Sequence, residues 1–357
     1  MTKTRFESIG LYTPEKELPT THMGRFLDKN LVRAIKILGI KKRHIRSQTE
    51  DSHALSVKAA LDCLENSHIK ASDLEAVIYT GITRFKDGIK QRYEPAMSLY
   101  IKRTIGATSA LNFDIANACA GMLTGAYVLD NMIKAGVVRN GMVLSGECIT
   151  PIFETSARET RDSSDEQFAS LTLGDAGAAF ILDESTNSAE GIDFIEFSTS
   201  AEFAELCIAK PSDLSAGWSM YTQASSLQEA TLKRFPSFLK QILHKYGKNL
   251  AQDYDYAIPH QTSVGAIKSG SREWRNFFKT RVPESLISVD QYGNTASTSH
   301  FLVLYKSLQD RTIDRGARLL FVGLASGITI GFLSATIGRL EIKNGNNHTG
   351  NLHKRKQ

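Results

Sequence analysis

Twice along this chain an apolar run ends in a turn of small residues, a helical pattern follows, and a glycine precedes the next apolar run. The first instance is "ALNFDIANACAG", then "MLTGAYVLDNMIKAG", then "GMVLSGE". The second is "SLISVDQYGNTAST", then "HFLVLYKSLQD", then "ARLLFVGLASG". From Cys119 to Gly141 is 22 positions, and from Asn294 to Gly316 is also 22. Strand, helix and strand in that order build a parallel or mixed sheet covered by helices. The same unit at the same spacing in both parts indicates an internal duplication, with Cys119 and Asn294 at equivalent places. The chain therefore reads as an α/β protein of two related halves, residues 1–185 and 186–343. The polar stretch 344–357, "NGNNHTGNLHKRKQ", lacks apolar periodicity and is expected to be a disordered tail.

Composition narrows the function classes. The four cysteines, Cys63, Cys119, Cys148 and Cys207, lie far apart with no CxxC. That spacing argues against a zinc site or a disulfide framework and for a reducing compartment. "MTKTRFESIG" has no apolar signal-peptide core, so a cytoplasmic location is expected. Leu319 to Gly338 carries no charge over the length of a spanning helix, but glycine, serine, threonine and β-branched residues interrupt it. Two buried strands joined at "ASG" account for it better than a membrane span. The net charge of +5 is too small, and the basic run Lys29–Arg46 too poor in aromatics, for a nucleic-acid binder. That run reads as a solvated helix face with its loop, or as a docking patch for an anionic partner.

Ligands of α/β sheets bind beyond the carboxyl ends of strands, near helix N-termini. Cys119 stands at such a place, among Ala, Asn and Gly that leave room for a substrate. The helix dipole there favours a thiolate, so a lowered thiol pKa is expected. Cys63, Cys148 and Cys207 read as ordinary small hydrophobes. A nucleophilic thiolate needs a base or hydrogen-bond donor beside it. His260 follows "YAIP" at a strand end, and Asn294 follows "SVDQYG" at another. If the halves pack about a pseudo-twofold, both point toward Cys119. No glycine-rich phosphate loop is present, since "GDAGAA" lacks the required spacing.

On "NACAG", "PHQTS", "YGNTASTS", "LTLGDAGAAFIL", "GLASGITIG", "IGLYTPEKELP" and "GIKKRHI", the sequence resembles the thiolase superfamily in its ketoacyl-ACP synthase III branch. The likeness extends to about residue 340. It implies a five-layered αβαβα fold and a homodimer. By the same resemblance Cys119 is the acyl-accepting nucleophile, and His260 and Asn294 stabilise the enolate of a second substrate. The backbone N–H groups of Cys119 and Ala325 would form the oxyanion hole. Acyl-CoA or acyl carrier protein thioesters are the implied substrates, with no metal and no bound cofactor. The product would be a β-keto compound of fatty-acid or secondary metabolism.

"RYEPAM", "NACAGM", "SGECITPIFE", "DEQFASLTLGDAGAA" and "SAEFAELC" look more like the head-to-head condensing enzymes of olefin biosynthesis and the related dialkylresorcinol-type ketosynthases. In the former a glutamate before a proline reaches the partner subunit's site as the base, and Glu94 before Pro95 matches it. Two departures stand against an acetyl-CoA priming role. The tryptophan and arginine that clamp the CoA adenine correspond to Arg33 and Ile37, and the docking arginine after "HQ" corresponds to Gly265. Arg33, Lys36, Lys41, Lys42 and Arg43 are then the candidates for docking a carrier or CoA. Three alternatives stand beside a non-decarboxylative condensation. They are a decarboxylative synthase III, an acyltransferase passing the group to oxygen or nitrogen, and a non-catalytic partner subunit.

Overall fold

The structure is a computed structural model and describes residues 3–343. In chain order the first part contains β1 (Thr4–Tyr12), β2 (Glu17–Pro19), α1 (Lys29–Ile37), β3 (Lys42–His44), α2 (Ser52–Glu65) and β4 (Ala76–Tyr79). It continues through α3 (Met97–Ile105), β5 (Leu111–Asp114), α4 (Gly121–Lys134), β6 (Asn140–Glu147), α5 (Thr150–Glu159) and β7 (Ala176–Glu184). The second part contains β8 (Gly191–Phe203), β9 (Cys207–Pro211), β10 (Trp218–Thr222), α6 (Ala224–Lys245) and β11 (Tyr256–Pro259). After these come α7 (Val264–Phe278), β12 (Glu284–Ser285), α8 (Val289–Tyr292), α9 (Ser299–Gln309), β13 (Arg318–Ala325) and β14 (Gly327–Thr336).

Two five-stranded sheets result, ordered β1-β7-β6-β4-β5 and β8-β14-β13-β11-β12. They share one topology. In each, the first two pairings are antiparallel and the last two parallel. The inner strands β4, β6, β7, β13 and β14 are buried on both faces, as sheets covered on both sides require. In β4, Ala76 and Ile78 face the middle of the molecule, and Val77 and Tyr79 face outward to α2 and α3. The middle layer is α4 and α9, whose Met122, Leu123, Phe301 and Leu304 join both sheets in one core. On the far side α6 and α7 cover the second sheet through Phe235, Leu239 and Trp274. These are the five layers αβαβα that the sequence led us to expect.

Local signals set the helix ends. Asp51 caps α2 by accepting the Ala54 N–H at 2.8 Å, and Ser263 caps α7 by accepting that of Ala266 at 3.1 Å. The uncharged run 319–338 is the antiparallel hairpin β13–β14, its strands paired from Arg318 with Thr336 to Ala325 with Thr329. Among the described residues no helix is long and apolar enough to cross a membrane.

The duplication is real, but its register differs from the glycine spacing. Helix α4 begins at Gly121 and α9 at Ser299, while β6 begins at Asn140 and β13 at Arg318; both intervals are 178 residues. The residue equivalent to Cys119 is therefore Ser297, not Asn294, which matches Ala116. Gly141 lies inside β6, whereas Gly316 lies in the turn before β13, so the two do not occupy the same structural position. The expected strand in "SLISVDQYG" is also cut short. Only Glu284 and Ser285 pair, and Val289–Tyr292 is helical. The Gln261 side-chain oxygen accepts the N–H groups of Ser288 and Val289 at 2.9 and 3.2 Å, which turns the chain out of the sheet there.

Helix α2 lies unusually close on the first sheet. A Cβ built on Gly177 of β7 would stand 2.2 Å from the Leu55 carbonyl oxygen, a backbone atom that cannot rotate away. Gly177→Ala should therefore lower unfolding stability by about 3 kcal/mol through overpacking. Chemical denaturation of both proteins measures this. An unchanged midpoint would mean α2 can lift off the sheet freely.

Candidate active site

The site forms where two equivalent turns meet. Residues 118–120 make a 3-10 turn before α4, and residues 296–298 make the matching turn before α9. Each opens with an alanine in the left-handed region, Ala118 at φ 42° and Ala296 at φ 50°. A non-glycine residue there costs on the order of 1–2 kcal/mol, and a side chain as small as alanine keeps that cost low. Cys119 and Ala296 belong to one apolar cluster with Ile149, Ile152 and Leu173, against which Ile82, Trp218 and Met220 also pack.

His260 follows β11, and its N–H binds the Val322 carbonyl at 2.9 Å. Its Nδ1 lies 3.0 Å from the Ser299 hydroxyl at the start of α9. His300, the next residue, donates from Nε2 to the same Val322 carbonyl at 3.0 Å. Burial pushes the His260 pKa down to about 3, with the neighbouring His300 adding to the effect. Burial likewise lowers His300 to about 4. Both rings are neutral at ordinary pH.

Asn294 is held by backbone on both sides. Its N–H donates to the Thr172 carbonyl at 2.9 Å, and its carbonyl accepts from Gly174 at 3.0 Å. A Cβ on Gly174 would sit 2.1 Å from the Tyr292 carbonyl oxygen, which gives the glycine of "LTLGDAG" its reason. The Asn294 Oδ1 accepts the Ala296 N–H at 2.9 Å. With the oxygen so occupied, the Nδ2 donors have no partner among the described residues. Ala325 ends β13, beside the turn that carries Cys119. Cys119, His260, Asn294 and Ala325 are thus gathered around two facing turns.

The electrostatics of the thiol correct the expectation from the helix dipole. Burial in the apolar cluster raises the Cys119 pKa, and the nearby Cys207 thiol and Glu147 carboxylate raise it further. The helix N-terminus does not outweigh an apolar well that also holds a carboxylate.

Sequence reasoning missed Glu147. It ends β6 fully buried and accepts from the Ile82 N–H at 3.1 Å, the Ser145 hydroxyl at 3.1 Å and the Ser297 hydroxyl. Ser145 and Ser297 also lie 2.8 Å apart. This carboxylate joins the first half to the residue equivalent to Cys119 in the second. A glutamate closing an apolar strand was the available signal. Asp175 is a second buried carboxylate, raised by burial to about 6. It accepts the N–H groups of Ile149 and Thr150 at 2.6 and 2.8 Å and so fixes the start of α5, whose Ile152 faces the thiol cluster.

The remaining sequence candidates fall elsewhere. Glu94 lies on an exposed loop and makes no hydrogen bond or ion pair among the described residues, so it is not part of its own chain's cluster. Arg33 and Lys36 are exposed on α1. Lys41 pairs with Asp290 at 3.0 Å and Lys42 with Glu17 at 2.5 Å. Arg43 is a correction. It is fully buried, donates to the carbonyls of Leu171 and Leu173 and lies over the Phe153 ring, so it cannot meet a partner at the surface. Its place in a basic run concealed a structural role. Stretch 344–357 lies outside the described residues. Among the described residues no group of three or more His, Cys, Asp or Glu side chains could hold a metal.

Glu147→Gln removes a negative charge near the thiol. The pH profile for alkylation of Cys119 should therefore move to lower pH by about one unit; an unmoved profile in a folded variant would mean the carboxylate is protonated or too distant. The histidines give a second expectation. The native state keeps both rings neutral, whereas the unfolded chain protonates near 6.5. Their contribution is complete above about pH 6.5 and is lost as pH falls toward their folded values of about 3 and 4. Urea unfolding between pH 7.5 and 5 should show that loss, and imidazole NMR signals of His260 and His300 should not titrate over the range.

Comparison with known proteins gives the cluster its family. Residues 113–202 match the family described as 3-Oxoacyl-[acyl-carrier-protein (ACP)] synthase III, and residues 245–337 match its C-terminal part. The beta-ketoacyl-[acyl-carrier-protein] synthase III of Neorickettsia sennetsu is 26% identical over 333 residues, covering 93% of this chain and 98% of that protein. The protein of the same name from Clostridium kluyveri is 24% identical over 344 residues, with the same coverage. Xanthomonas campestris OleA, solved with bound lauric acid and lauroyl-CoA, superposes with a TM-score of 0.80 at 18% identity, over 94% of this chain and 99% of OleA. The Aquifex aeolicus 3-oxoacyl-[acyl-carrier-protein] synthase III gives 0.78 at 20% identity, over 94% and 100%. The two family matches together take in just over half of the sequence, and they fall on the segments that carry Cys119, His260 and Asn294. This chain belongs to the 3-oxoacyl-[acyl-carrier-protein] synthase III family of the thiolase superfamily.

Proposed function

We propose that this chain is a ketosynthase that joins two acyl thioesters by Claisen condensation through an acyl group carried on Cys119. Family membership supports the thioester-condensing class. The single observation that carries the assignment of residues is the meeting of the Cys119 turn with the turn anchored by Asn294 and by the Ser299 partner of His260.

In this reading the Cys119 sulfur attacks the first thioester and expels its thiol, with the thiol proton passing to the leaving group. The N–H groups of Cys119 and Ala325 hold the oxyanion. The apolar side chains of Ile149, Ile152, Trp218 and Met220 receive the acyl chain and keep water from the new thioester. A second thioester then loses a proton from its α-carbon. With Ser299 donating to Nδ1, the neutral His260 carries its proton on Nε2. That proton and the free Nδ2 donors of Asn294 bond the thioester oxygen as the enolate forms. The carbanion attacks the acyl carbon, releases the Cys119 thiolate and gives a β-keto product. A neutral imidazole suits this role, because it donates without first needing a proton.

The base in this reading is Glu94 of a second copy. Strand β5 is a sheet edge with Leu111 52% exposed, and an uncovered apolar edge favours pairing with another chain. The Glu94 loop is fastened to that edge. Arg84 pairs with Asp114 at 3.2 Å, and Asp114 accepts the N–H groups of Met97 and Ser98 at the start of α3. Tyr93, beside Glu94, is 79% exposed. A homodimer built on β5 would present this loop to the neighbouring site. Thioesters would arrive on CoA or an acyl carrier protein. The anionic carrier would dock where α7 meets α1, at exposed Lys268, Arg272 and Arg275 with Arg33 and Lys36. None of these five makes an ion pair among the described residues.

Intact-protein mass spectrometry after incubation with acyl-CoAs and acyl carrier proteins tests the reading. An adduct should appear on the wild type and be absent from Cys119→Ala; an adduct retained by that variant would remove the nucleophile. His260→Ala should still acylate yet condense at least about 100-fold more slowly. Glu94→Gln should acylate normally and fail to condense two acyl-CoAs. An ester or amide product in place of a β-keto compound would overturn the condensation itself.

A further inference from the structure

His300 is a buried polar side chain beside the site for which the reaction above has no use. It is fully buried near the start of α9, and its ring centroid lies 5.8 Å from that of His260. Its Nε2 faces the Val322 carbonyl at 3.0 Å. A carbonyl can only accept, so the neutral His300 carries its proton on Nε2 and leaves Nδ1 bare. That Nδ1 is buried with no partner among the described residues. An unpaired acceptor costs stability that a leucine in the same place would not. The donor side of the ring must therefore hold something that matters. The carbonyl it holds is the one that also accepts the His260 N–H, at 2.9 Å. Val322 lies in β13, the strand that ends at Ala325. The residue before His300 is Ser299, whose hydroxyl lies 3.0 Å from the His260 Nδ1. These hydrogen bonds close a ring. It runs from the His260 backbone to Val322, on to the His300 ring, along α9 to Ser299, and back to the His260 ring. Ser299 is 1% exposed, and its hydroxyl makes no other hydrogen bond among the described residues. As a donor it satisfies its proton; as an acceptor it would leave that proton buried and unpaired. It therefore donates, and the proton of the neutral His260 sits on Nε2.

We propose that His300 is a positioning residue for His260. By donating to Val322 it locks the first turn of α9 against β13, which sets the Ser299 hydroxyl on Nδ1 and fixes the His260 proton on Nε2. His300 acts through Ser299 and not on the substrate. One carbonyl oxygen then registers three parts of the site against each other: the His260 backbone, the start of α9 and the strand that leads to Ala325. A donor whose tautomer and ring plane are set before substrate arrives loses no time or free energy in reorienting. The use of that proton on an enolate oxygen rests on the condensation reading, whereas the tautomer itself does not.

Imidazole nitrogen NMR of the free, full-length protein tests the tautomer, and condensation by pre-acylated protein tests its use. In the wild type His260 should show a protonated Nε2 and a bare Nδ1; the opposite tautomer would overturn the proposal. His300→Phe keeps a ring of similar size and removes the donor. It should acylate Cys119 at the wild-type rate, show both His260 tautomers and condense roughly 10-fold more slowly. His300→Gln, whose amide N–H can meet the same carbonyl, should recover most of that loss and restore a single tautomer. Ser299→Ala should mix the tautomers with His300 intact. Each variant is checked for native circular dichroism. The proposal is overturned if folded His300→Phe keeps the wild-type tautomer and condensation rate. It is also overturned if His300→Gln condenses no better than His300→Phe, since the ring would then only fill space. Should His300→Phe not fold, Ser299→Ala decides, and a single Nε2–H tautomer in that variant overturns the proposal. A wild type with the expected tautomer that acylates Cys119 but forms no β-keto product overturns the condensation reading and leaves the positioning of His260 in place.

Discussion

The site depends on one packing event, the meeting of two equivalent turns at the seam between the halves. Each turn lies between an upstream strand and a central helix, and each opens with a left-handed alanine. Neither can relax outward, because α4 and α9 share the core between the sheets. The seam is sealed by polar groups that would be costly to bury singly. Ser145 from one half meets Ser297 from the other, and Glu147 accepts from both. A buried carboxylate with several donors is tolerable, whereas one stripped of them is not. The duplicated fold thus leaves two homologous positions with different chemistry. Cys119 faces the apolar well, and Ser297 serves the buried network.

Around the thiol the dominant force is desolvation. The apolar cluster against which Cys119 packs disfavours charge on any group inside it. It raises the thiol and lowers both imidazoles. The free site is therefore almost wholly neutral, and charge develops only as a thioester reacts. For a reaction through an oxyanion and an enolate this has a clear consequence. In the proposed reading, fixed donors with no charge of their own, the two backbone N–H groups, the imidazole and the amide, would stabilise those anions in a medium where such dipoles act strongly. A protonated histidine would provide more attraction, but burial beside His300 excludes it near neutral pH.

The sequence revealed an α/β fold of two related halves because its signals are local, while the five-layered order came from the family resemblance. Continuous apolar strands such as "AVIY" and "LLFV" need cover on both faces, and small-residue turns before helices mark the strand ends where a site forms. Cys119 and His260 were legible for the same reason, since each follows a strand, whereas Asn294 was picked out although helix α8 stands where a strand was expected before it. The register between the halves was not, because a glycine by itself marks no structural equivalence; Gly141 lies inside β6, while Gly316 lies in the turn before β13. Arg43 read as surface because charge in a basic run is usually solvated, and only the packing of Leu171, Leu173 and Phe153 around it shows otherwise. Glu147 escaped notice because the partners that make its burial tolerable lie up to 150 residues away.

The edge strand shows how far one chain defines such a site. The well that holds Cys119 is built from this chain's own α5, β10 and turns. The polar donors are likewise its own. What the chain turns outward is the loop before α3, tied by Asp114 to the exposed end of the first sheet. Burying that edge against a second copy would satisfy the free side of β5 and cover Leu111, so pairing brings both hydrogen-bond and hydrophobic gain. The same contact would carry Glu94 to wherever the partner's surface lies open. A second carboxylate placed permanently beside the thiol would raise the thiol pKa further. Delivering the base from outside would resolve that conflict. The nucleophile would keep its apolar pocket, and the base would reach the substrate from the partner's side.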